Sequence, residues 1–155
     1  MLVWERNIML KILALDPSGT GTTGIALIKN DQVTFQEFTS SEWKEHWQTL
    51  IGLMEKFQPK LVLYESTNYI HSRGKDMTSL FKLLGGLESL GHSEAIPVNQ
   101  VKGLKQKLFT GKASIAGITY SPGRGKGWTY QGQRISVHQL EAYLVYYLWK
   151  DQKVV

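Results

Sequence analysis

The chain of 155 residues contains no cysteine. That excludes disulfides, thiolate nucleophiles and cysteine-ligated zinc, and it fits a cytoplasmic setting. No apolar run approaches the ~18 residues of a membrane-spanning helix, so no contact with a membrane is expected. The first ten residues place Glu5 beside Arg6 and lack the basic flank, apolar middle and small-residue cleavage site of a secretory signal. Residues 1–10 are therefore expected to form a loose extension, with Met9 as an alternative start. A further absence is regional. From Ala95 to Leu140 there is neither Asp nor Glu, while Lys102, Lys105, Lys107, Lys112, Arg124, Lys126 and Arg134 supply seven positive charges. A segment of 46 residues without acid is suited to a polyanion, nucleic acid first.

The length suits a single domain over 1–155, and 42% hydrophobic with 20% charged residues is ordinary for a globular chain. Apolar runs predict strands at Lys11–Leu15, Gly24–Lys29 and Gln32–Phe38, the last two joined by the tight turn Asn30-Asp31. Thr39 and Glu42 have the spacing of a capping box. It would open a helix whose stripe is Trp43, Trp47, Leu50, Ile51, Met54 and Phe57, ended by Pro59. A strand Lys60–Tyr64 is closed by Glu65, and 66–75 reads as a polar loop. The helix predicted over 76–90 contains Gly85 and Gly86, each costing ~1 kcal/mol relative to Ala. That pairing admits close approach of another backbone, such as a second subunit. A strand Glu94–Val98 and a basic amphipathic helix Gln100–Phe109 follow. Residues 110–134 show no helical period; Ile118–Ser121 and Trp128–Gln131 flank a Gly-rich insert that reads as a mobile loop or a hairpin. Ser136 and Gln139 form a second capping box, opening a helix to Lys150 that buries Leu140, Leu144 and Leu148. Three strands followed by alternating helices and strands make a mixed α/β sheet.

Gly19-Thr20-Gly21-Thr22-Thr23-Gly24 matches the dinucleotide-binding fingerprint GxGxxG, but the glycines lead into the strand Ile25–Ile28 and not into a helix. The fingerprint's structural requirement fails. The glycines instead make a bend that lets backbone or substrate pass close to Asp16. Phe109–Ala113 fails as a Walker loop, with Gln106 at its first glycine and Ala113 where a magnesium-binding hydroxyl belongs. The stronger constellation is Asp16 and Glu65, two acids at strand ends. If those strands are neighbours, both carboxylates project from one edge of the sheet. His138 and Glu141, three apart, share a face of the last helix. Such oxygen donors with one imidazole suit Mg²⁺ or Mn²⁺, and a pair of ions at such a site can cleave a phosphodiester.

Taken together, these residues resemble the RuvC family of Holliday-junction resolvases, within the ribonuclease H-like superfamily. The likeness covers Lys11 to Trp149. Leu13–Gly19 is similar to the family's opening acid followed by Pro and small residues, and Leu63-Tyr64-Glu65 to its second acid. Leu80–Gly86 resembles the helix that packs its homodimer, Pro97–Lys102 its basic helix, and His138–Ala142 its closing ligands. The family usually ends with two Asp or with His and Asp, so Glu141 is a departure. Its base-stacking aromatic finds a counterpart in Tyr69, displaced by one position.

The resemblance implies a ribonuclease H-like mixed sheet with helices on both faces. It also implies a homodimeric, Mg²⁺-dependent endonuclease for Holliday junctions and other branched DNA, with Mn²⁺ as a substitute. Asp16, Glu65, His138 and Glu141 would be catalytic and hold the metal. Tyr69, Arg73, Lys75, Lys102, Lys105, Lys107, Lys112, Arg124 and Lys126 would contact DNA, and the helix at 76–90 would form the dimer. The short chain suggests a bacteriophage version, working in the host cytoplasm. Alternatives are a related nuclease for RNA–DNA hybrid or flaps, and a non-catalytic nucleic-acid-binding module. An actin-like phosphotransferase would need a second lobe, for which 155 residues leave no room.

Overall fold

A computed structural model describes residues 10–67, 75–123 and 127–153. The expected loop at 66–75 and the N-terminal extension fall largely outside those residues, as do Tyr69, Arg73, Arg124 and Lys126. Five strands form the main sheet: β1 (Lys11–Asp16), β2 (Thr22–Lys29), β3 (Gln32–Thr39), β4 (Leu61–Ser66) and β5 (Ser93–Pro97), in the order β3-β2-β1-β4-β5. The first three are an antiparallel meander, as predicted, while β4 and β5 run parallel to β1 and to each other. Asn30 and Asp31 both take positive φ, the requirement of a two-residue turn matching the strand twist.

Alternation along β1 and β4 sorts their side chains onto two faces. Leu13, Leu15, Val62 and Tyr64 pack under α1 (Trp43–Phe57) and α2 (Lys75–Glu88). Ile12, Ala14 and Leu63 pack under α3 (Val98–Phe109) and α4 (Val137–Lys153). Helices thus cover both faces, and the architecture is the mixed α/β sheet that the sequence predicts. β5 passes into α3 without a loop, with Pro97 at the helix N-cap.

One local expectation requires correction. Thr39 does not cap α1; it ends β3, where its hydroxyl bonds that of Thr22. The N-cap is Glu42 without a side-chain cap, and its amide donates to the Ser40 hydroxyl instead. The cause is His46, fully buried and absent from the predicted stripe, whose ring bonds the Ser40 carbonyl and the Thr23 hydroxyl and ties down the helix entry. Gly86 has a reason within the chain: a methyl there would stand 2.8 Å from the Trp47 ring, so that glycine makes room for α1. Gly85 faces open space.

The segment without helical period is a small antiparallel sheet, β6 (Ile118–Tyr120), β7 (Trp128–Tyr130) and β8 (Gln133–Arg134), in that order. Its hairpin pairs Tyr120 with Trp128, and Gln131-Gly132, both at positive φ, closes the second turn. Ile118, Trp128 and Tyr130 join the core on the α3–α4 side. Among the described residues, no helix is long and apolar enough to cross a membrane.

Candidate active site

Asp16 and Glu65 come together because β1 and β4 are parallel neighbours in the register Leu15↔Tyr64. Each acid follows its partner residue by one, so both turn to the face opposite Leu15 and Tyr64, beneath α3 and α4. Glu65 lies inside β4 and not just beyond it, opposite Ile96 of β5. From α4, Glu141 projects toward the same point. Oxygens of Asp16, Glu65 and Glu141 lie within 4.8 Å of one another, close enough for one cation to touch all three.

Two local devices set α4 in place. Ser136 and Gln139 form the reciprocal capping box read from the sequence: the Gln139 amide donates to Ser136 Oγ (3.1 Å) and the Ser136 amide to Gln139 Oε1 (2.9 Å). The Ser136 hydroxyl then donates to Glu37 of β3 at 2.8 Å, fastening the helix start to the sheet. Gly24, opposite Asp16 in the β1–β2 register, supplies the second device. A methyl there would overlap the carbonyl of His138, so only glycine lets the helix start lie on β2. His138 Nδ1 consequently reaches Asp16 Oδ2 at 3.3 Å. In the bend after the acid, the Ser18 and Gly21 amides donate to Thr23 Oγ1 and Ser18 Oγ, which fixes its shape. Gly19 lets the bend lie against α2, because a methyl there would meet the α2 backbone at Leu80 at 2.6 Å.

The four groups are electrostatically unequal. Glu65 is 9% exposed, and its Oε2 is buried with no hydrogen-bond partner among the described residues. Burial, reinforced by the charges of Asp16 and Glu141, pushes its carboxyl up to about 8. Burial likewise raises Asp16 to about 6, against the lowering effect of the His138 hydrogen bond. His138 is raised chiefly by that same bond. Glu141 is the exception. Burial disfavours its charge, but the Lys105 ammonium at 2.7 Å, the bond with Asp16 and the charge of Lys102 at 3.6 Å hold it below the ordinary value.

The predicted basic residues separate accordingly. Lys102 and Lys105, three apart on α3, share the face turned to Glu141. Lys107 is exposed, and two residues beyond Lys105 it points away from that face; Lys112 is exposed just past the helix. Lys75 opens α2. The ion pair of Lys105 with Glu141 has no signal in the sequence, since only the packing of α3 on α4 brings the two residues together. Beside the acids runs a trough of about 400 Å³ walled by Pro17, Met77, Leu80 and Val98, with Lys102 at its edge.

The five-strand mixed sheet in the order β3-β2-β1-β4-β5, with helices on both faces, is a ribonuclease H-like fold. Solved structures share this fold. It is similar to Thermus thermophilus RuvC in complex with a Holliday-junction substrate, at TM-score 0.61 and 12% identity over 94% of this chain and 98% of that one. It is also similar to the yeast mitochondrial Holliday-junction resolvase Ydc2, at 0.51 and 12% over 88% and 75%. The large terminase nuclease of the thermophilic phage G20c gives 0.51 and 11% over 92% and 83%. The fold is therefore shared with RuvC-type resolvases, as the sequence resemblance implies. No protein-family model and no curated protein matches the sequence.

Proposed function

We propose that this chain is a divalent-metal-dependent endonuclease for branched DNA, with Holliday junctions as its foremost substrate. The observation that carries the reading is the Glu65 carboxylate, buried and unpartnered at Oε2 within 4.8 Å of two further acids. Lys102 and Lys105 pair with Glu141 and His138 with Asp16, while Glu65 has no such pair among the described residues, and a buried carboxylate so placed is costly unless a proton or a cation joins it. Hard oxygen donors of this number suit Mg²⁺, with Mn²⁺ as a substitute, so the residues present fit the metal. Asp16, Glu65 and Glu141 would hold it, with His138 completing the set from the rim. Bound there, the metal supplies Lewis acidity toward a phosphodiester oxygen and acidifies water.

The chain's own groups then have distinct tasks. His138, tied to Asp16, orients that carboxylate and carries a proton at the edge open to solvent. Lys105 keeps Glu141 ionised, and the exposed Lys102 offers its charge to the incoming phosphate. Lys75, Lys107 and Lys112, with Arg73, Arg124 and Lys126, would follow the phosphate backbone, and Tyr69 would stack at the branch point. The helix at 76–90 would pair two copies, matching the two-fold character of a four-way junction.

The test is a cleavage assay on an immobile four-way junction beside linear duplex, single strand and fork, in Mg²⁺ and in EDTA. Metal-dependent paired cuts near the crossover are expected, and Asp16→Asn should lower them at least about a hundredfold while junction binding persists. Binding without cleavage in Mg²⁺ or Mn²⁺ would leave a nucleic-acid-binding module and remove the assignment of the four residues.

A further inference from the structure

Large apolar side chains exposed on the surface are few among the described residues: Leu10, Phe109, Tyr120 and Val137. Three of the four border one cleft of about 230 Å³, together with Lys105, Gln106 and Trp128. Phe109, the last residue of α3, is 55% exposed, and Tyr120 of β6 is 37% exposed. Their ring centroids lie 5.0 Å apart, and Tyr120 stands 4.8 Å from Trp128 across the hairpin. Trp128 belongs to the core and anchors the small sheet, whereas Phe109 and Tyr120 lie outside it. Isolated exposed apolar residues need no explanation, but convergence of three on one aromatic-walled cleft does.

The cleft adjoins the acid centre through two shared walls. Lys105 lines it and also bonds Glu141, and Val137 lines it immediately before His138. Its lining contains no acid, and it lies wholly within the segment 95–140 that has none. Aromatic faces in a lining that holds Lys105 and no acid, adjoining the carboxylate cluster, match the chemistry of a nucleotide: a flat base for the rings and a phosphate drawn to the basic segment.

We propose that Phe109 and Tyr120, braced by Trp128, form a stacking site for one unpaired nucleobase of the strand held at the carboxylates. The inference rests on the endonuclease reading above and adds a base-holding site on the small sheet. Because every base has a π-face, the site contributes affinity and strand placement with little sequence preference.

Binding is measured in EDTA, so that no cleavage intervenes, by anisotropy of a labelled four-way junction. A matched set of junctions carries a single abasic nucleotide moved step by step across the branch. For the wild-type chain, one abasic position should weaken binding about tenfold. Phe109→Ala combined with Tyr120→Ala should weaken binding of the intact junction by about the same factor and should be indifferent to the abasic position. Phe109→Leu, which keeps apolar bulk without a π-face, serves if the double variant fails to fold, and it should show part of the same loss. Unchanged affinity in the variants, or an abasic penalty that survives in them, would overturn the stacking site while leaving the endonuclease reading intact. A wild-type chain that binds no junction would overturn both.

Discussion

The two faces of the central sheet are built from the same strands yet do opposite work. Toward α1 and α2, β1 and β4 present Leu13, Leu15, Val62 and Tyr64, which close into an apolar layer with Leu50, Leu83 and Leu87. Toward α3 and α4 the apolar series Ile12, Ala14 and Leu63 gives way at the strand ends to Asp16 and Glu65. Leu15 and Asp16 are consecutive, but one is fully buried in a core and the other reaches a cluster of acids. Strand alternation alone separates them, so one residue of slip would exchange core for site.

That contrast can be broken from each side. The largest effect on stability is expected at the core face. Leu15→Ala removes a fully buried side chain and should cost ~2–5 kcal/mol in urea unfolding. Cleavage per folded molecule should survive, and a specific loss of activity at unchanged stability would mean that the two faces are not separable.

At the acid face the direction reverses, because the groups there oppose folding when charged. Glu65 is raised to about 8 and Asp16 to about 6, so the metal-free folded state holds protons that the unfolded chain releases near its ordinary carboxylate values. Their stabilising influence is complete below those ordinary values and is lost as pH rises through the folded ones. His138, also raised, acts in the same sense. In EDTA, stability should therefore fall as pH rises from 5 to 8, each tenfold change in proton affinity being worth about 1.4 kcal/mol. Glu65→Gln should flatten most of that slope, and Mg²⁺ should restore stability at pH 8 in the wild type. A level profile in EDTA would show that the cluster is less strained than its burial implies.

The smallest expected effect lies at the joint between the faces. Ser136→Ala removes the cap of α4 and its bond to Glu37, and should cost ~0.5–2 kcal/mol in thermal unfolding. Its effect on cleavage should exceed its effect on folding, since the helix start carries His138. Equal proportional losses would reduce Ser136 to a simple cap.

Much of this architecture is legible in the residues. The Asn30-Asp31 turn, the meander, the alternation of helices and strands, and the capping box at Ser136 each rest on interactions spanning a few positions. The carboxylates are visible as acids ending apolar runs. The misleading signals are equally local: Thr39 and Glu42 have the spacing of a cap, but buried His46 claims the Ser40 carbonyl and moves the helix start to Trp43. The small sheet stays undecided in the sequence because strands of two or three residues carry too little periodicity to be distinguished from loop.

The sequence by itself determined the alternation that places Asp16 and Glu65 on one side of their strands, and the spacing that puts His138 and Glu141 on one side of a helix. Those are properties of backbone geometry within single elements. Only the tertiary structure decided that β1 and β4 are adjacent and parallel, and that Gly24 admits the start of α4 beside Asp16. It alone paired Lys105 with Glu141 while leaving Glu65 Oε2 without a partner among the described residues. The reason is physical: these contacts join residues from 36 to more than 100 positions apart, and no periodicity along the chain encodes which surfaces will meet when the two cores close.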